Sequence, residues 1–141
     1  DGQSWDEVTR DTSYLGNVCV HTSTDTGLSG GNTDVKFDEW RGTSSGKVWH
    51  TKDFAIAYDR LICLVDGMYE IYARTIRNAT NGHCVIKVNG TLLFYAHGGT
   101  SNHDTPHSKL NMPLKRGDYV QIYGSWYGSL SFSHHQITRI L

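Results

Sequence analysis

Eight histidines and fourteen acidic residues are the side chains with which this chain could bind a metal or move a proton. Their spacing argues against both. His134 and His135 are neighbours, so on a strand they point to opposite faces and do not chelate together. His103 and His107 flank Asp104 and Pro106 in a polar stretch that reads as a solvated loop. No metal ion is expected. The segment "GTSSGKV" at 42–48 has three residues between its glycines instead of four. Val48 stands where a phosphate loop needs Ser or Thr, and no helix pattern follows. A nucleophile elbow, a zinc-binding HExxH helix and a glycine-rich dinucleotide loop are all missing from the sequence. The expectation is a protein that is not an enzyme and carries no cofactor.

Thiol chemistry is the next option. Cys19, Cys63 and Cys84 are odd in number and share no metal-like spacing. "CLVDGMYEIYAR", Cys63 to Arg74, puts Cys63 at the end of one strand, just before the turn into the next. A reactive thiol wants a helix N-terminus or a cationic neighbour. Arg60 is the nearest cation in sequence. All three cysteines are expected to be reduced and buried.

Recognition chemistry remains. Trp126 and Tyr127 sit in "SWYGS", and Asn102, His103 and Asp104 in "HGGTSNHDTPH". Aromatic faces stack on sugars, while amides, imidazoles and carboxylates hydrogen-bond hydroxyls. These five are the candidate ligand-binding residues. Arg116-Gly117-Asp118 spells an adhesion tripeptide, but it reads as a hairpin turn.

The elements that must position these groups are strands. The chain has 141 residues, enough for one domain, with 38% hydrophobic residues and a formal charge of −1. It has no basic run for nucleic acid, and no apolar run near the ~20 residues of a membrane helix. Helical periodicity is nearly absent, and fifteen glycines punctuate short segments. Residues 1–34 read as irregular, with "TGLSGGNTD" a loop. Strands are expected at Val18–His21, Val35–Trp40, Phe54–Ile62, Gly67–Arg77, Cys84–Val88, Thr91–Ala96, Ser108–Leu114, Asp118–Gly124 and Leu130–Leu141. Asn89-Gly90 is a two-residue hairpin turn, because both central residues of a type I′ turn need positive φ. Many short antiparallel strands with such turns imply an all-β sandwich or jelly roll.

Antiparallel order separates two ends. The C-terminus, Lys115–Gly117 and Asn89-Gly90 share a base of minimal turns. The 78–83, 97–107 and 125–129 loops share an apex. Tyr119 and Tyr123 lie on one face of their strand, with Val120 and Ile122 on the other. Both sides are thus apolar or aromatic, which predicts that the tyrosines are buried between subunits.

Several pieces resemble a known family. "C-x-V-x-G-x-Y" at Cys63, Val65, Gly67 and Tyr69 is similar to the central signature of the complement globular-head domain. The "VNG" turn at Val88–Gly90, "L-x-x-G-D-x-V" at Leu114, Gly117, Asp118 and Val120, and "FS" at Phe132-Ser133 follow in the family's order. The resemblance spans residues 35–141 and implies a tumour-necrosis-factor-like jelly roll that assembles as a trimer. Residues 1–34 match little, and "FSHHQITRIL" lacks the family's usual glycine and aromatic. In its loose N-terminal third the chain looks more like the knobs of viral and bacteriophage fibres or tail needles. The resemblance therefore implies a single knob domain over 1–141, following a stalk that enters at the base. Its expected place is the tip of a virion fibre, attaching through the apex to a host cell-surface glycan or receptor. The alternative is an extracellular complement-like recognition module or lectin of a cellular organism. Neither reading calls for nucleic acid or stable membrane insertion.

Overall fold

Alternating side chains become two antiparallel sheets. The computed structural model describes residues 17–21, 29–37, 39–40, 53–75, 83–97, 105–127 and 134–140; at 17–21, 29–32, 39–40, 97 and 127 it describes the backbone alone. The strands are β1 (Asn17–His21), β2 (Ser29–Asp34), β3 (Glu39–Trp40), β4 (Phe54–Ala57), β5 (Arg60–Cys63), β6 (Gly67–Arg74), β7 (His83–Val88), β8 (Thr91–His97), β9 (His107–Leu114), β10 (Tyr119–Tyr127) and β11 (His134–Arg139). One sheet runs β3-β1-β11-β6-β9 and the other β4-β5-β10-β7-β8, with β2 also paired to β10. First and last strands lie side by side, and the chain crosses repeatedly between sheets. This is the expected all-β jelly roll.

The core forms where the two inner faces meet. Tyr69, Ile71 and Ala73 of β6 face inward, with Ile137 opposite Ile71 in the register of β11. Leu61, Cys63, Cys84, Ile86, Val88, Val120, Ile122 and Trp126 answer from the second sheet. Leu110 and Met112 of β9 pack against this cluster, and Leu114 is part of it. Fully burying one such aliphatic side chain is worth about 1.5–3 kcal/mol.

The base is knitted by its turns. Asn89 and Gly90 adopt φ of 51° and 80°, and the Asn89 amide nitrogen donates to Asp118 Oδ1 at 2.9 Å. The Tyr119 N–H donates to Asn89 Oδ1 at 3.0 Å, and the Lys115 N–H to Asp118 Oδ2 at 2.8 Å. Gly117 N–H reaches the Cys63 carbonyl at 2.9 Å, and Arg116 N–H reaches Asp66 Oδ1 at 2.7 Å. Ile140 N–H closes the same end onto the Met68 carbonyl at 2.8 Å. The Asp118 carboxylate is therefore committed to its own turn.

Four strand readings change. Phe54–Ile62 is not one strand but a hairpin, β4 and β5, turning at Tyr58-Asp59 without a Gly, Pro or Asn. The stretch "SGGNTD", read as loop, is β2, because it finds a partner edge on β10. Val35–Trp40 does not run through as a strand: Val35 and Phe37 are buried and bond singly to Ile122 and Tyr58, and pairing resumes only at Glu39. β10 does not end at Gly124; its pairing with β2 carries it to Tyr127. Gly124 is required where it stands, since a Cβ there would penetrate the His83 carbonyl of β7.

Candidate binding surfaces

β6, β8 and β10 all end away from the base. The connections that leave them, 76–82, 98–104 and 128–133, fall outside the described residues, and Asn102, His103 and Asp104 fall with them. Tyr127 is described only by its backbone, at the end of β10.

Trp126 is a correction. It was expected at a loop tip, but it lies inside β10 opposite Gly30 of β2, and its side chain is 0% exposed. The alternation that turns Val120 and Ile122 into the core continues unbroken to Trp126 and turns the indole inward too, the register irregularity beside it adding its extra residue on β2. Its Nε1 has no hydrogen-bond partner among the described residues. Such a ring has no face on which a sugar could stack.

At the rim of the first sheet, three strands bring together groups that are far apart in sequence. His107 and His134 are both in register with Arg74. Their rings flank Tyr72 at centroid distances of 6.3 and 5.9 Å. His134 Nε2 lies 3.0 Å from Gln136 Oε1, and Gln136 donates to Thr138 Oγ1 at 3.0 Å. Strand alternation alone turns the half-buried Tyr72 outward. Its histidine neighbours depend on long-range pairing that no local pattern carries.

The outer face of the second sheet holds Tyr119 and Tyr123, both half-buried within the single chain. The Arg60 guanidinium lies 4.4 Å above the Tyr119 ring, and Lys87 Nζ lies 5.4 Å from that of Tyr123. Between them, buried Gln121 donates through Nε2 to Asp34 Oδ2 at 3.3 Å and Asp59 Oδ2 at 3.0 Å. Lys87 pairs with Asp34 at 2.7 Å. The amide thus seals the seam where β5 and β2 abut the same edge of β10. Much of the tyrosine surface expected to face another subunit is already covered from within.

β8 is different. It is an edge strand in which Leu92, Leu93, Phe94 and Tyr95 are each between 43% and 53% exposed. A register shift against β7 leaves Leu93 as an extra residue on β8. Side chains therefore project on both sides of the edge.

The thiols are inert in character. Cys63 and Cys84 are free and buried, as the sequence predicted, and burial pushes both thiols up, Cys84 to about 11. Cys63 Sγ donates to the Val65 carbonyl at 3.1 Å, beside the Tyr69 hydroxyl, which donates to the same oxygen at 2.6 Å. The Cys19 side chain lies outside the described residues. Among the described residues no three His, Cys, Asp or Glu side chains gather as a metal site.

No family profile and no curated protein sequence matches this chain. Solved structures do match. Murine APRIL at pH 8.0 superposes with a TM-score of 0.63 at 13% identity, covering 88% of this chain and 98% of that one. Eiger TNF from S. frugiperda gives 0.62 at 12% identity, covering 89% and 92%. At such identities the likeness is one of fold, and the fold is the tumour-necrosis-factor-like jelly roll.

Proposed function

We propose that this chain is a non-enzymatic, extracellular binding module that works as a homotrimer and engages a cell-surface receptor or glycan. The observation that carries the assembly is β8. An edge strand with four large apolar side chains in a row invites open-ended pairing unless it is covered. A ring of identical copies covers every such edge and leaves none over. β8 therefore supports the trimer better than Tyr119 and Tyr123, whose rings lie under Arg60 and Lys87.

The fold suits binding, because its rigid sheets end in connections where recognition residues usually sit. The matched mouse and insect proteins favour a cellular, extracellular setting over a virion fibre. The fibre-knob reading rests on the loose sequence of residues 1–34, and the structure adds no observation in its favour.

Analytical ultracentrifugation tests the assembly. The chain should sediment as a trimer at micromolar concentration. Leu93→Glu combined with Tyr95→Glu should release monomers that keep their β-sheet circular dichroism. A parental monomer would refute the trimer, and a trimer surviving both glutamates would remove β8 from the interface.

A further inference from the structure

Tyr58 occupies a backbone conformation that does not suit it. It is the first central residue of the two-residue turn between Ala57 and Arg60, with φ of 60°. Such a position normally takes Gly, because a side chain at positive φ crowds the backbone. At Asn89-Gly90 the chain uses residues that tolerate this geometry. At Tyr58 it places a large aromatic instead, and that residue is 62% exposed. Burial does not offset the strain. An exposed ring held this way is the kind of outlier that accompanies a binding role.

Its surroundings define the ligand. Lys36 Nζ lies 5.4 Å from the Tyr58 ring, and the Tyr58 carbonyl is fixed by the Phe37 N–H at 2.7 Å. Arg60, two residues on, has a side chain that is 49% exposed. Asp59, the carboxylate between them, is engaged by Gln121 at 3.0 Å and lies 3.9 Å from Arg60 Nε. The carboxylate is thus held between Gln121 and Arg60, whose guanidinium also lies over Tyr119, and an aromatic ring and two cations border the surface. Aromatic rings stack on the apolar face of a pyranose, and Lys and Arg hydrogen-bond carboxylate or sulfate.

We infer that the Tyr58 turn, with Lys36 and Arg60, is a binding site for an acidic saccharide. This deepens the reading of a binding module by naming a surface and a ligand chemistry. It lies within one chain and does not depend on the trimer.

The test is calorimetric titration of the intact protein with a chondroitin sulfate hexasaccharide and 3′-sialyllactose, with lactose as the uncharged control. Binding of at least one acidic probe should exceed that of lactose by about tenfold or more, and should weaken with added salt. Tyr58→Gly should lower that affinity by about tenfold while the melting temperature holds or rises, because relief at φ offsets the larger unfolded-chain entropy of Gly. Tyr58→Phe should bind like the parent, and Arg60→Gln should bind less tightly. Failure of both acidic probes to bind the parent overturns the assignment. So does parental affinity in Tyr58→Gly, or a melting temperature that falls by several degrees. Sedimentation on the same samples keeps a failure of assembly separate from a failure of this site.

Discussion

Replacing Trp126 by Ala separates a core residue from a binding platform. The indole is wholly buried between the sheets, so the substitution removes its transfer free energy and leaves a cavity. Loss of a buried Trp typically costs about 3–5 kcal/mol. Nε1, without a hydrogen-bond partner among the described residues, already carries a desolvation penalty of about 1–3 kcal/mol, which the variant relieves. The net loss should therefore sit near the low end, about 3 kcal/mol. A domain of this length has about 7–20 kcal/mol of stability, so the fold survives. At about 2–4 °C per kcal/mol, the melting temperature should fall by about 6–12 °C. Urea denaturation followed by circular dichroism gives the free energy, and tryptophan fluorescence should lose a blue-shifted component. A loss under about 1 kcal/mol, accompanied by lost saccharide binding, would refute the core assignment and restore Trp126 as a surface platform.

Gly124→Ala should cost more than about 2 kcal/mol, because the new methyl collides with main chain that is held in the β7–β10 ladder; thermal denaturation reads it, and a neutral result would refute the close approach. Cys63 and Cys84 should resist a thiol reagent at pH 8 in the native state and react once the protein is unfolded, since burial holds both thiols above their ordinary range. Asp118 has its folded-state pKa lowered, first by the Lys115 N–H and then by the Asn89 amide. Its contribution is therefore present above the unfolded value of about 4 and disappears as pH falls through the lower folded value. NMR titration of its carboxyl should show the lowered midpoint, and Asp118→Asn should make the base turn less sensitive to acid.

The sequence exposed the parts of the fold that depend on neighbours along the chain. Alternation at Tyr69, Ile71 and Ala73 marked β6, and Asn89-Gly90 marked its hairpin by turn chemistry. The base turns emerged for the same reason. What stayed hidden depended on partners elsewhere. β2 has the composition of a loop and is a strand only because β10 offers it an edge. The Tyr58-Asp59 turn was missed because Tyr58 is not a turn former, least of all at positive φ, and Asp59 alone did not mark it. Trp126 was misread because a glycine-flanked aromatic looks the same in sequence whether its strand stops or continues. The Tyr72, His107 and His134 rim needs three strands in register before it exists.

β10 also sets an order of events when the protein is made. It serves as the common partner of β2, β5 and β7, while β1 waits for β11. A nascent chain growing at about 5–20 residues per second exposes β1 and β2 several seconds before β11 and β10 emerge. Until then, "NVCVH" has only the two-residue β3 beside it, the glycine-rich β2 has no native neighbour, and the apolar β8 is already out. Closing such distant pairings is slow because loop entropy is spent before contacts form. Yield during expression should therefore depend on how well β8 is shielded in those seconds. A chaperone that holds apolar strands would help this chain more than it would help a helical protein of equal stability.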